Sequence, residues 1–368
     1  MDTRCGGRSR LVISALRFPA RYTHVMDIEI IIGCDMHPNQ VADYAVAAEQ
    51  AGVRTLWHSN ITNGWDPFVA LVPAAQVTSR IKLGVLALSP YEMHPLKIGY
   101  ALASLNELSG GRAVVGLGGG GAMAIAIVDK GDDQNLDFKK MRIVRGVREA
   151  AEIIYKVTSG QPHAPYKGEV FRVNQRFRTS FIKAPRPQII SCSMGPQMLR
   201  MGARVADGVQ VGDVVPARVP DVMVDVQAGL ARRSYAADDF RVGNFWAWHI
   251  KKDREQSMHE ARRKLFSRAE IIPPHIGLDH LLAADEAQLV RDNFSHFLMA
   301  DIDGSGEIKG VPPELVQRLI DEVSSAGDFD DIDREIARYK KFEEAGITDL
   351  AIRVLMSRWK HCRLYATA

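Results

Sequence analysis

Gly116-Leu117-Gly118-Gly119-Gly120-Gly121 follows the apolar run Ala113–Leu117, which reads as a buried strand. Glycines at a strand end let the backbone approach a ring or a polar tail closely, with N–H groups left free to donate. The spacing also matches GxGxxG. A dinucleotide fold would then need a helix at once and an acidic residue closing the next strand about 20 positions on. The following Gly131–Asp137 stretch is polar and strand-free, so Gly118, Gly119 and Gly120 read better as a cofactor-contact loop. A second turn of this kind is Ser191-Cys192-Ser193-Met194-Gly195-Pro196. Gly195 allows a tight bend, Pro196 suits the first helical position, and N–H groups at a helix start bind anions. The competing reading of this turn is ordinary strand-to-helix chemistry.

Titratable candidates are few. The first strand ends in Cys34-Asp35-Met36-His37-Pro38, where Asp35 and His37 could contact a substrate. Equally, Asp35 or Asn39 could cap the next helix. The second strand ends in Trp57-His58-Ser59-Asn60-Ile61. His58 could move a proton if it points inward, and a buried structural histidine is the alternative. Asn60 could hydrogen-bond a ligand edge. Asp301-Ile302-Asp303-Gly304-Ser305-Gly306-Glu307-Ile308 copies the start of a calcium loop, but position twelve is Pro312 where a bidentate glutamate is required. It reads as an acidic surface turn, and no metal site is expected.

The elements that must position these residues alternate regularly. Strand patterns occupy Ile28–Gly33, Val53–His58, Ile81–Leu88, Ala113–Leu117, Gln188–Cys192, Gly208–Val211, Val242–Ile250 and Thr348–Val354. Helical patterns fill the gaps, among them Leu96–Leu108, which Ser109-Gly110-Gly111 stops, and Pro196–Val205. Eight such alternations predict a closed α/β (β/α)8 barrel over residues 27–356 rather than an open sheet. Insertions are expected at 158–186, where Tyr166–Val173 reads as a hairpin, and at 270–330, which reads as helical. Residues 1–26 form either a disordered leader or a stretch ahead of a true start at Met26, and 357–368 an irregular tail.

Residues 76–121 also resemble the bacterial luciferase-like superfamily. TSRIKLG, the His94-Pro95 pair, LNELSGGR and the glycine run carry the likeness, which is nearest to the branch using the deazaflavin F420, as in methylenetetrahydromethanopterin reductase. The resemblance implies a (β/α)8 barrel and an oxidoreductase moving hydride between F420 and a small organic substrate. FMN-dependent monooxygenation and a non-catalytic flavin- or F420-binding barrel are the alternatives. It implies a non-proline cis peptide at Leu86-Ala87 behind the ring, the Ser193–Pro196 turn on the cofactor's phosphate-bearing tail, and His94 near the mouth. It also exposes departures. The family's aspartate and histidine positions hold Asn60 and Ile61, and its glutamate position holds Gly121. Homodimers are common in the family.

Composition excludes several other classes. With 46% hydrophobic and 25% charged residues in 368, the chain is an ordinary globular protein. The net charge of +3 comes from basic ends around a slightly acidic body, which does not suggest nucleic-acid binding. Cys5, Cys34, Cys192 and Cys362 are scattered, with no CxxC pair, which fits a reducing cytoplasm. No apolar run is long enough to span a membrane.

Overall fold

The structure, a computed structural model, describes residues 26–61, 64–120, 141–236, 239–268, 271 and 277–354. Its strands are β1 (Asp27–Ile32), β2 (Thr55–Ser59), β3 (Lys82–Leu88), β4 (Ala113–Leu117), β5 (Tyr166–Lys167), β6 (Arg172–Val173), β7 (Gln188–Cys192), β8 (Gly208–Gly212), β9 (Arg241–Trp248), β10 (Ser324–Ser325) and β11 (Asp349–Val354). Parallel pairing runs β9-β11-β1-β2-β3-β4-β7-β8, and β8 pairs with β9 to close the ring. That is the expected eight-stranded barrel, and closure excludes the dinucleotide fold. β5 and β6 form the expected hairpin outside it. The long insertion supplies helices Leu278–Leu281, Ala284–Asp292, Phe294–Ile302 and Pro313–Val323. It also supplies β10, which pairs with the upper end of β9. The leader, the C-terminal tail, Gly121 and the Gly131–Asp137 stretch lie outside the described residues.

The strands form because both of their faces are buried. Outward residues such as Leu56, Leu83, Val85, Val115 and Ile189 pack under the helices. Inward residues Ile31, Trp57, Leu86, Val114, Ile190 and Ala351 fill the lumen. Gly84 makes this packing possible, since a Cβ there would lie 2.1 Å from the Trp57 ring. The Trp57 indole, 2% exposed, takes that space.

Below Trp57 the lumen is ionic. Glu29 accepts from Thr55 Oγ1 and Trp57 Nε1, each at 2.6 Å. Arg241 reaches Asp349 at 2.6 Å and Asp27 at 2.5 Å, and Arg54 reaches Asp349 at 3.2 Å. Only a cavity of about 20 Å³ remains, enough for one water. This end holds the strands together rather than a ligand. Burial, with the nearby Asp349 carboxylate, pushes the Glu29 carboxyl up to about 7.

A carboxyl whose folded pKa is raised adds stability at low pH and loses it as pH climbs through the folded value. The melting temperature of the parent protein relative to Glu29→Gln is therefore expected to fall between about pH 4.5 and pH 7. Parallel melting curves over that range would show that folding leaves the Glu29 pKa unshifted.

Candidate functional site

At the opposite end, three adjacent strands converge on one place. β3 ends in a bulge, where its register against β4 slips between Val85 and Leu88. The Leu86–Ala87 peptide is cis, as the family likeness implied. Asn60, just past β2, pins this bulge. Its N–H donates to Leu86 O at 2.8 Å, and its Nδ2 donates to Ala87 O at 3.2 Å and to Glu92 Oε1 at 2.6 Å. Glu92 also accepts from Ser89 N at 2.9 Å. The Asn60 Nδ2 is thus engaged by the protein.

Gly118 N donates to Leu88 O at 2.8 Å, tying the glycine loop to the bulge. A Cβ on Gly118 would sit 3.4 Å from Cys192 Cβ and 3.8 Å from Ala87 Cβ. The ends of β3, β4 and β7 therefore share one floor. Gly119 packs on Ile143, and its carbonyl accepts from Ser89 Oγ at 3.3 Å. Gly120 follows directly, at the last described position of the loop.

Beyond β7, Ser193 is committed internally. Its N–H reaches Gln210 O at 2.9 Å, and its hydroxyl pairs with Ser191 Oγ at 2.8 Å. What remains open is Met194, Gly195 and the start of the helix Pro196–Val205. Gly195 caps that helix with no side chain, and its Cα faces open space. Met194 is 47% exposed, with its sulfur 3.3 Å from Gly212 N. Burial pushes the Cys192 thiol up to about 12, so it remains protonated and is no nucleophile.

The three titratable candidates fall elsewhere. His58 is fully buried, and its register partners Ile32 and Val85 belong to the outer, helix-facing layer. It points away from the lumen because Trp57 takes the inward position. Nδ1 lies 3.0 Å from Ser59 O, and Nε2 has no partner among the described residues. Burial lowers its pKa, so it stays neutral. His37 is exposed and is itself the helix cap, accepting from Asn39 N at 3.2 Å, while Trp65 packs edge-on against its ring. The capping residue is therefore His37 rather than Asp35 or Asn39. His94 repeats the arrangement, accepting from Leu96 N at 3.2 Å. Asp35 is exposed at the rim. In the calcium-like turn, Asp301 is held by Lys264 at 2.8 Å and Arg263 at 3.0 Å. Ile61, 37% exposed, offers no proton.

Sequence reading missed Glu92 and the charged residues across the mouth, Asp213, Arg268 and Arg353. Arg353 was legible in principle, because period-two alternation from Asp349 through Ala351 aims it inward at a strand's C-terminal end.

The model of the luciferase-like monooxygenase family matches residues 14–349. The chain belongs to the luciferase-like monooxygenase family. It is 28% identical over 316 residues to the 5,10-methylenetetrahydromethanopterin reductase of Archaeoglobus fulgidus, covering 86% of this chain and 90% of that one. Among solved structures it matches the coenzyme F420-dependent tetrahydromethanopterin reductase from Methanopyrus kandleri with a TM-score of 0.66 and 21% identity, covering 90% and 93% of the two chains. An F420-dependent secondary alcohol dehydrogenase, in complex with an F420-acetone adduct, matches with a TM-score of 0.66 and 16% identity over 89% and 93%. No helix among the described residues is long and apolar enough to cross a membrane.

Asn60→Ala removes both Nδ2 bonds and leaves the partly buried Glu92 carboxylate short of a donor. The expected cost is about 1–3 kcal/mol of stability, read from the urea midpoint. A midpoint equal to that of the parent would show that Asn60 does not hold the bulge.

Proposed function

We propose that this protein is an F420-dependent oxidoreductase that transfers hydride between the deazaflavin and a small organic substrate. One observation carries the reading: Ala87, Gly118 and Cys192 meet at neighbouring strand ends, beside a helix start that no side chain caps. The names of the relatives support F420 as the ligand of such a cradle. When bound, the deazaflavin would supply a ring carbon able to accept or give hydride. The residues present fit it. The bulge at Leu86 and Ala87 would back the ring. Gly118, Gly119 and Gly120 would let the backbone come close. Met194, Gly195 and the N–H groups following Pro196 would receive an anionic tail, with Ser193 bracing the turn from beneath.

The departures narrow the chemistry. Asn60 and Ile61 hold no exchangeable acid or base, and His58 faces the helices. Orientation and water exclusion are thus what this chain can contribute at those positions. The reading favours a substrate whose hydride exchange needs no proton from that wall. It also takes the enzyme to be cytoplasmic and homodimeric, with no nucleic-acid partner.

Incubation with F420 or FMN followed by gel filtration tests the proposal. F420 is expected to co-elute with the protein and FMN to separate; retention of FMN alone would make the monooxygenase reading the better one. Gly118→Ala gives a finer check. A methyl has ordinary contact distances there, so stability should change by less than about 0.5 kcal/mol. F420 affinity should fall about tenfold, because the methyl fills the floor beside the ring. Unchanged affinity would remove Gly118 from the cradle.

A further inference from the structure

We infer that Arg353, backed by Arg268, forms an anion-binding subsite for the acidic group of the substrate, a carboxylate or a phosphate. The inference deepens the oxidoreductase reading and rests on it only for calling the bound anion a substrate.

Arg353 lies near the end of β11, paired with Ile31 of β1 and Ala247 of β9. Two residues below it, Ala351 belongs to the lumen cluster, so the side chain of Arg353 enters the mouth. β11 and β4 have three strands between them in either direction around the ring. Arg353 therefore stands across the opening from Gly118, where a molecule lying over the ring would present its far end.

Arg353 is partly buried, yet its guanidinium makes no hydrogen bond or ion pair among the described residues. Its charged and titratable surroundings are Arg268, Asp213 and Cys34. Arg268, only 3% exposed, donates from Nη1 to Asp213 Oδ1 at 2.8 Å. Asp213 is fixed in turn, in a left-handed conformation with φ 52° and its N–H 2.9 Å from Phe245 O. Two guanidinium groups thus share the surroundings of one described carboxylate, and Arg268 already holds it. A desolvated cation without a partner is costly, and the neighbouring Arg268 raises that cost. A bound anion would relieve it, and the planar fork of arginine suits the two oxygens of a carboxylate or phosphate. Strand alternation aims Arg353 inward, but sequence alone does not place Asp213 and Arg268 beside it, since only the closed ring brings the three together.

Calorimetric titration with inorganic phosphate and with acetate, at fixed ionic strength, tests the subsite on the full-length protein. Arg353→Met is expected to weaken the binding of both probes at least about tenfold, with Arg353→Lys intermediate. F420 affinity, followed by fluorescence quenching, should change less than about twofold. Circular dichroism melts report whether the variants fold, and Arg353→Lys retains the charge if the methionine variant does not. Absence of anion binding by the parent, or equal binding by parent and variants, overturns the inference. So does a tenfold loss of F420 affinity with anion binding intact, which would assign the guanidinium to the ring. If F420 fails to bind the parent, the redox reading falls, while the anion titrations still decide the subsite.

Discussion

The Trp57 indole divides the barrel into two compartments that perform different work. Its ring lies over Gly84, and its N–H is anchored on Glu29 at 2.6 Å. Beneath it, opposite charges from β1, β9, β11 and Arg54 are packed with room for about one water. Above it, Gly116 makes room for the Leu86 and Cys192 side chains, and Gly212 for the Met194 sulfur. A buried ion network is tolerable only where its geometry satisfies every member. Trp57 shields that network from the mouth, so the electrostatics of the two ends can be set independently. Lys82, whose pKa burial and Arg54 lower to about 8, and Glu29, raised to about 7, would look catalytic if they lined the mouth. At the closed end they are structural.

The mouth is arranged by backbone more than by side chains. Asn60, Glu92 and Ser89 hold the β3 bulge, and Gly118 is fastened to Leu88. These are short-range contacts between neighbouring strand ends. The charged group on the far side is built differently. Asp213, Arg268 and Arg353 come from three separate elements, and Arg268 arrives on the segment entering the long insertion. One wall of the opening would receive a ring and its tail, while the other offers positive charge. That division is what a scaffold needs in order to vary its substrate without disturbing its cofactor.

Much of the fold was legible in the sequence, for a local reason. A strand buried on both faces is a continuous apolar run, and a glycine or proline marks its end. The bounds of β4, β7 and the helix Pro196–Val205 therefore match the reading from sequence. β10 escaped it because Ser324–Ser325 carries no hydrophobic signal and pairs only where β9 outruns β8. The site was legible where glycine and proline fix the backbone, as at Gly118 and Gly195. It was not legible where direction mattered. His58 turned outward because register placed Trp57 inward, and the Ser193 hydroxyl was consumed by Ser191. Both outcomes depend on which way a side chain faces in the closed ring, which residue types alone do not state.

The register of β1 against β11 joins Asp27 to Asp349. The first seam of the ring to be synthesised is therefore the last to be sealed. Most of the chain must emerge before β1 gains its second neighbour, and until then both of its partnering edges cannot be covered at once. Such distant pairing makes folding slow, and it leaves apolar edge strands open to other chains during synthesis. The barrel that shelters the cradle is thus vulnerable while nascent, and its production in a cell falls under the capacity of chaperones to mask a half-built cylinder.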